Sequence, residues 1–336
     1  MVKTIRTGAS ATLRYGYEKG GYGTIGSGTV TKKFGLQDSV SNFSLTHNRI
    51  DLAQLNQVEY AAYAYGQQAA SLSVGFTLSN PWIFESIFGT PTVSTSEFTF
   101  GGLTSGNTPT TPTTIQAIIA VGGSEVDVQR TLSGGVMNSL GVTTSVGNPV
   151  QCSADMSFGI ESASGTTVTA ATVPDGTNQT EFPYTFAHGE LKINNTVVTE
   201  LQDVDITFAQ NANLLYAVGG KSGQAGNQAV DAYRQIFDVT GRFRTSFVDK
   251  TFLDNTLDQI GKGTAGTYSE TIGGTPELEL TFTKDGDEDI TITGSGLAPT
   301  DFNISGITPV EPIFQDLSWR IRNVKVVAND LATAVP

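Results

Sequence analysis

The most constraining feature of the sequence is the alternation of apolar and polar residues in two neighbouring segments. In residues 204–208, apolar side chains alternate with aspartate and threonine, and the same period of two runs through residues 237–247. A period of two places successive side chains on opposite faces of a β-strand. We therefore predict two strands, each with one apolar and one polar face, joined by the glycine-rich loop 219–228. A helical pattern follows over 249–261, with an aspartate as N-cap and a glycine at its end.

A weaker copy of this strand-to-helix pattern lies upstream. Residues 71–79 alternate in the same way, Asn80 and Pro81 provide a helix cap and first position, and Gly89 ends a short helix. Pairing Asn80 with Asp249 aligns the two strand-to-helix junctions. We therefore expect that the chain is internally duplicated.

Turn signals and composition predict a mainly β fold. Gly147 and Asn148 lie between two alternating runs and predict a hairpin, and residues 278–282 should pair with 290–292 across an acidic turn. Only 15% of the residues are charged, while glycine, serine and threonine are abundant. This composition favours short strands and many turns over helical bundles.

Composition shifts divide the chain into an arm and two domains. Residues 1–36 are basic and glycine-rich, and the small, polar segment 163–185 predicts a linker. We expect a first domain over 37–162 and a second over 186–336.

The predicted arm differs in charge from the body of the chain. Residues 1–36 hold six basic residues and one acid, a net +5, which leaves −18 on the remainder of a chain whose net charge is −13. The arm is either a solvated tail or a segment that binds the acidic body of a neighbouring subunit. The candidate contact residues in the arm and in the loop 219–228 are Lys3, Arg6, Arg14, Lys19, Lys32, Lys33 and Lys221.

The sequence offers little support for catalysis or for a bound cofactor. The two histidines, His47 and His188, have no cysteine or acid at metal-ligand spacing, and no nucleophile or nucleotide-binding motif occurs. The acidic run 285–289 reads as a hairpin turn rather than a calcium loop. Cys152 alternates with apolar residues, which predicts a buried thiol, and as the only cysteine it excludes an internal disulfide. We expect no enzyme activity, no cofactor and no metal.

The sequence contains no segment that resembles a signal peptide or a membrane span. No run approaches the roughly 20 apolar residues that cross a bilayer, and residues 1–13 have no apolar core of signal-peptide length. We therefore expect a soluble product with no membrane partner.

Several segments of the chain resemble the tail tube proteins, or major tail proteins, of tailed phages and archaeal tailed viruses. HGELKINN at 188–195 followed by VDITFAQNANLLYAVGG at 204–220 is similar to a family strand that ends in asparagine-rich residues before a long loop. DVTGRFRTSF at 238–247 resembles the returning strand that leads to the flanking helix, and residues 130–159 resemble a family meander.

The resemblance implies two tandem antiparallel β domains, each with a short flanking helix, which assemble into a ring-shaped β-barrel tube. Two-domain members form trimeric rings with pseudo-sixfold symmetry, whereas a single tube domain per chain would imply hexamers. Stacked rings would form the virion tail, contact other tail proteins and let double-stranded viral DNA pass without sticking. Synthesis would take place in the host cytoplasm.

The alternation also predicts which side chains face away from the core and line the bore or a subunit contact. These candidate residues are Ser71, Ser73, Thr77, Asp238, Thr240, Arg242 and Arg244. An acidic surface or adhesin-like β-protein that binds a glycan or receptor is the alternative reading of the same composition. It predicts a monomer, whereas the tube reading predicts rings or filaments.

Overall fold

The computed structural model of the protein describes most of the chain. The described residues are 11–18, 21–23, 30, 32–52, 62–94, 97–103, 112–122, 126–163, 182–193, 195–218, 226–246, 277–284, 288–307 and 312–329. The helix predicted at 249–261 and most of the predicted linker lie outside these residues, as does most of the loop 219–228.

The described residues form a mainly β protein, which confirms the predicted fold class. The strands are β1 Ala11–Tyr17, β2 Leu36–Leu52, β3 Ala62–Thr77, β4 Thr92–Ser94, β5 Glu97–Gly101, β6 Ile115–Gly122, β7 Val126–Ser145, β8 Gln151–Ala163, β9 Thr185–Ile193, β10 Thr196–Val197, β11 Leu201–Ala209, β12 Asn213–Leu215, β13 Asp231–Tyr233, β14 Asp238–Ser246, β15 Glu277–Thr283, β16 Asp289–Ser295, β17 Ala298–Ser305, β18 Phe314–Ile321 and β19 Asn323–Asn329. A 3₁₀ turn at Trp82–Phe84 leads into α1 at Glu85–Phe88.

The main sheet joins four strands from each half of the chain in the same order. Its order is β2-β3-β8-β7 followed by β11-β14-β18-β17, with β6 on β7 and β1 on β6. All neighbours are antiparallel, and the two sets of four meet where β7 pairs with β11. We call each set of four strands a wall unit. Within the described residues the main sheet is open, with β2 and β17 at the two ends of its eight-strand path and β1 at the end of the branch.

A second sheet covers the apolar face of the main sheet. Its order is β10-β9-β15-β16-β19-β5-β4. The hairpin predicted between residues 278–282 and 290–292 is confirmed, since Leu280 lies opposite Ile292 and Phe282 opposite Ile290. One hydrophobic cluster contains buried side chains from both sheets and from the short helix. The pairing of β19 with β5 also joins the end of the chain to its first half.

The local signals of the first half are largely confirmed, although Pro81 occupies the cap position and the 3₁₀ turn begins at Trp82. Gly147 occupies the turn between β7 and β8 with φ +80°, a conformation that glycine adopts without strain. The Asn80 Oδ1 atom accepts a hydrogen bond of 3.2 Å from the Trp82 amide at the start of the short helix, and Gly89 ends the helix with φ +84°. The helix packs on the apolar face of β11, where Phe88 contacts Phe208 at 5.8 Å between ring centroids.

Part of the predicted N-terminal arm belongs to the main sheet of its own chain. Strand β1 pairs with β6, and Tyr15 is 0% exposed in contact with Phe34, 4.5 Å away between ring centroids. The Glu18 carboxylate then accepts a 2.6 Å hydrogen bond from the Gly134 amide in β7. Alternating apolar side chains in β1 drive this docking, which the basic composition of the segment conceals.

The last residues of the predicted linker are built into the fold. Tyr184 is 0% exposed and accepts a backbone hydrogen bond from Val150, while its own amide donates to Leu78. Strand β9 follows directly and enters the second sheet.

Candidate functional site

The face of the main sheet that points away from the core is the candidate functional site, and we call it the polar face. Residues directly opposite each other in a sheet share a face. One such row runs across both wall units from Thr143 through Asp205, Arg242 and Ser318 to Asp301. The polar face is therefore continuous across the junction of β7 and β11.

The three candidate residues of β3 lie on the polar face but differ in their solvent exposure. Ser71 and Ser73 are half-buried, and the Ser44 and Ser71 hydroxyls lie 2.7 Å apart across β2 and β3. Thr77 is only 3% exposed, and its hydroxyl accepts a 3.0 Å hydrogen bond from the Gln151 side-chain amide. The polar face of the first wall unit thus carries mostly small, uncharged side chains.

Two candidate arginines of β14 form ion pairs across the strands. Arg244 donates two hydrogen bonds, of 2.8 and 3.3 Å, to the carboxylate of Asp316. Asp316 is only 9% exposed. Arg242 Nη2 lies 3.2 Å from the Asp203 carboxylate. Hydrogen bonding to Asp316 raises the pKa of Arg244 above its usual value. Both guanidinium groups are therefore already engaged by carboxylates of the same face.

The remaining candidates of β14 continue the pattern. Asp238 accepts a hydrogen bond of 2.9 Å from Arg320 Nη2. Thr240, between Asp238 and Arg242 on this face of β14, is exposed. Register places Thr240 directly opposite both Thr207 and Arg320. The structure thus brings all four β14 candidates together on one face.

The polar face carries more acid than base. Its described rows hold three arginines and six aspartates, namely Arg242, Arg244 and Arg320 with Asp155, Asp203, Asp205, Asp238, Asp301 and Asp316. Five of the aspartates and all three arginines belong to the second wall unit. The acids of β8, β11, β17 and β18 were not among the predicted site residues, although the alternation in residues 204–208 already separates Asp205 from the core.

Asp205 shows how crowded this acidic surface is. Desolvation raises the pKa of Asp205, the nearby Asp203 charge adds to that rise, and Arg242 opposes it. Because Asp203 and Asp205 are two residues apart on one strand, both carboxylates project from the same face. They lie beside Thr143 and Gln151 in a shallow depression at the junction of the wall units.

The two edge strands expose apolar side chains that elsewhere in the sheet are covered. Phe43 and Leu45 of β2 and Phe302 of β17 are half-buried against the core, and Ile304 of β17 is also half-buried. Among the described residues no further strand pairs with β2 or β17. Open edges of this kind invite pairing with another chain.

The candidate basic residues of the arm and of the loop 219–228 lie in several different parts of the chain. Lys3, Arg6, Lys19 and Lys221 lie outside the described residues. Arg14 is in β1, Lys33 is half-buried, and Lys32 places its ammonium 4.3 Å from the centre of the Trp82 ring. Lys32 therefore also packs within its own chain.

The described residues show no cluster of three or more potential metal ligands. His47 is exposed on β2, and His188 lies in β9. Cys152 is 4% exposed on the apolar face of β8, and burial raises the pKa of its thiol well above the usual value. Of the acidic turn, Glu288 is paired with Lys284 and Asp289 accepts a hydrogen bond from Asn329.

An extended polar sheet face with two open edges is suited to assembly, and comparison with known families agrees. The family described as phage tail tube protein matches residues 8–321, nearly the whole chain. The chain belongs to the phage tail tube protein family. This family is structural rather than enzymatic, and its members are components of the virion tail that assemble with copies of themselves and with other tail proteins. No curated protein matches the chain. None of the helices in the described part of the chain is long and apolar enough to cross a membrane.

Proposed function

We propose that three copies of this chain form a ring, that rings stack into the tail tube, and that viral double-stranded DNA passes through the bore. In this proposal each wall unit is one tube domain, so a trimer has six equivalent units. The family supports a structural role in the tail. The ring, the symmetry and the passage of DNA are our inference from the geometry.

One observation carries the proposal, and it is the junction between β7 and β11. There the last strand of one wall unit pairs with the first strand of the next. The two ends of the eight-strand path are again a first strand, β2, and a last strand, β17. Another copy can therefore repeat at each edge the same kind of contact that joins the two units inside the chain. Repeated contacts of one kind close into a ring when the rotation from each copy to the next adds up to a full turn.

The dimensions fit a DNA duplex. Three chains with eight wall strands each, spaced about 4.8 Å and tilted by about 40°, enclose a backbone circle about 50 Å across. Inward side chains reduce this to a bore of about 40 Å. A duplex with its hydration shell fits inside such a bore.

The electrostatics fit passage without adhesion. With the polar face toward the bore, the three arginines are held by aspartates, and three further aspartates per chain remain as net negative charge. Fixed negative charge repels phosphates, and a guanidinium that is already paired is less available to bind them. The wall would therefore guide DNA rather than grip it.

The basic residues of segment 1–36 and the loop 219–228 are our proposed contacts between stacked rings. Their charge complements the acidic remainder of the chain. The part of this segment that forms β1 is excluded as a free extension, because it lies in the sheet of its own chain.

Negative-stain microscopy of the purified protein at increasing concentration tests the function. We expect rings or short tubes with a central opening of about 40 Å, from the strand geometry above. A protein that stays monomeric at every concentration would contradict the tube role and would favour the surface-protein alternative.

A further inference from the structure

The two wall units carry a β-bulge at the same place, which fixes how their residues correspond. In β7 the pairing with β8 shifts between Met137 and Ser139, and in β17 the pairing with β18 shifts between Pro299 and Asp301. Each bulge lies in the last strand of its unit. Because a bulge marks one position in a ladder, superposing the two bulges pairs Ser139 with Asp301.

This correspondence agrees with the sequence when it is carried across the sheet. Reading along the rows through β8 and β18 pairs Ser73 of β3 with Arg242 of β14. These two residues are separated by the same number of positions as Asn80 and Asp249, which the sequence alignment pairs at the strand-to-helix junctions. The bulges and the sequence pattern thus give one and the same alignment.

The junction inside the chain shows what a completed contact looks like. Gly141 of β7 lies opposite Thr207 of β11 on the polar face. On the other face, apolar residues of the two strands pair and are almost completely covered. These residues are Leu140 and Phe208, both 0% exposed, and Val142 and Ile206, 1% and 0% exposed.

The alignment transfers this junction to the free edges of the sheet. Ser44 occupies in β2 the position that Thr207 occupies in β11, because each lies opposite the corresponding residue of the next strand, Ser71 or Thr240. Asn303 in the same way takes the position of Gly141. The internal junction therefore predicts which residues of two copies face each other.

We propose that β17 of one copy pairs antiparallel with β2 of the next copy in a single register. This inference rests on the proposed ring and adds to it the residue pairs of the contact. The facing pairs are Asp301 with Thr46, Phe302 with Leu45, Asn303 with Ser44, Ile304 with Phe43, and Ser305 with Asn42.

The exposure of the edge residues supports this register. Phe43, Leu45, Phe302 and Ile304 are half-buried in the isolated chain, whereas their counterparts at the internal junction are buried. The register places these four apolar side chains against one another on the core side. A shift by one residue would turn each of them toward the polar face of its partner.

Disulfide trapping tests the register. The matched variant carries Ser44→Cys and Asn303→Cys, which the register places directly opposite each other, with Cα atoms about 4.5–5.5 Å apart. Two control variants combine Asn303→Cys with Asn42→Cys or Thr46→Cys, which lie on the same face but two positions away, at roughly 7–8 Å. A disulfide requires less than about 7 Å between Cα atoms. Single-cysteine variants control for Cys152, which is buried.

We expect mild oxidation of assembled protein to convert most of the matched variant to covalent trimers on non-reducing gels, at least tenfold more than either control. Rings in micrographs together with faster crosslinking of a control pair would overturn the register and leave the proposed function standing. Rings with no crosslinking of any pair would show that these edges are not the contact. Absence of both rings and crosslinks would overturn the register and the proposed function together.

Discussion

A buried ion pair of the second sheet contacts the backbone just after β3. Lys284 and Glu288 face each other across the turn between β15 and β16, with 3.0 Å between Nζ and Oε2 and side-chain exposures of 8% and 6%. The same ammonium lies 3.3 Å from the Ser79 carbonyl and 5.7 Å from the centre of the Tyr184 ring. Removing either partner leaves a charge without its counterion in a place that is largely shielded from water.

The burial of the pair sets the size of the expected effect. Glu288→Gln or Lys284→Met should each lower the free energy of unfolding by about 3–5 kcal/mol, because the remaining charge is uncompensated. With an m-value of about 3 kcal/mol/M in urea, this moves the midpoint by about 1 M or more. The double variant Lys284→Met with Glu288→Leu should recover most of the loss, since it removes both charges. Urea unfolding followed by circular dichroism, at a concentration where the chain is monomeric, measures all three.

A surface pair in the same sheet provides the matched control. Lys192 and Glu279 are also 3.0 Å apart, but their side chains are 31% and 38% exposed. Lys192→Met should therefore cost less than about 1 kcal/mol. Equal losses for Glu288→Gln and Lys192→Met, or a double variant as unstable as the single ones, would show that burial does not set the contribution of the Lys284–Glu288 pair.

Two further predictions concern the polar face and the packing beneath it. The double variant Asp155→Lys with Asp301→Lys changes two exposed positions and makes the polar face net positive. Assembled tubes of this variant should retain added duplex DNA in sedimentation at low salt and release it as the salt concentration rises. DNA retention no greater than with unaltered tubes would contradict a bore lined by this face. Gly241→Ala should destabilise the protein by about 1–3 kcal/mol, because a Cβ there would lie 2.2 Å from the buried Trp319 ring, whereas Gly226→Ala, with no atom within 4 Å of the new Cβ, should leave the thermal midpoint nearly unchanged. Equal midpoints for the two alanine variants would show that the indole moves aside.

Local patterns in the sequence predicted local structure well. The alternation in residues 204–208 gives β11, Gly147 gives the hairpin between β7 and β8, and the Asn80 side chain accepts a hydrogen bond at the start of the short helix. Each of these signals depends on a few neighbouring residues whose periodicity and turn chemistry act directly on the backbone.

Features that depend on distant pairing could not be predicted in the same way. Tyr15 is a core residue because β6, a hundred residues later, provides its strand partner, whereas charge and glycine content suggested a free arm. Thr77 has the period of an exposed residue and is nevertheless covered, because Gln151 from another hairpin reaches over it. Non-local contacts of this kind are set by sheet order rather than by composition.

The candidate site was predicted in part for the same reason. Alternation placed Arg242 and Arg244 on one face, but only the register shows that Asp203 and Asp316 lie beside them and neutralise their charge. The open edges β2 and β17 could be recognised only from the order of strands in the sheet.

Cryo-electron microscopy of the assembled tube, seen in cross-section, would show how the chains pair around the channel. We expect threefold rings in which β17 of each chain is hydrogen-bonded to β2 of the next and the polar face surrounds the channel. Sixfold rings of six chains, or a channel lined by the second sheet, would contradict this expectation.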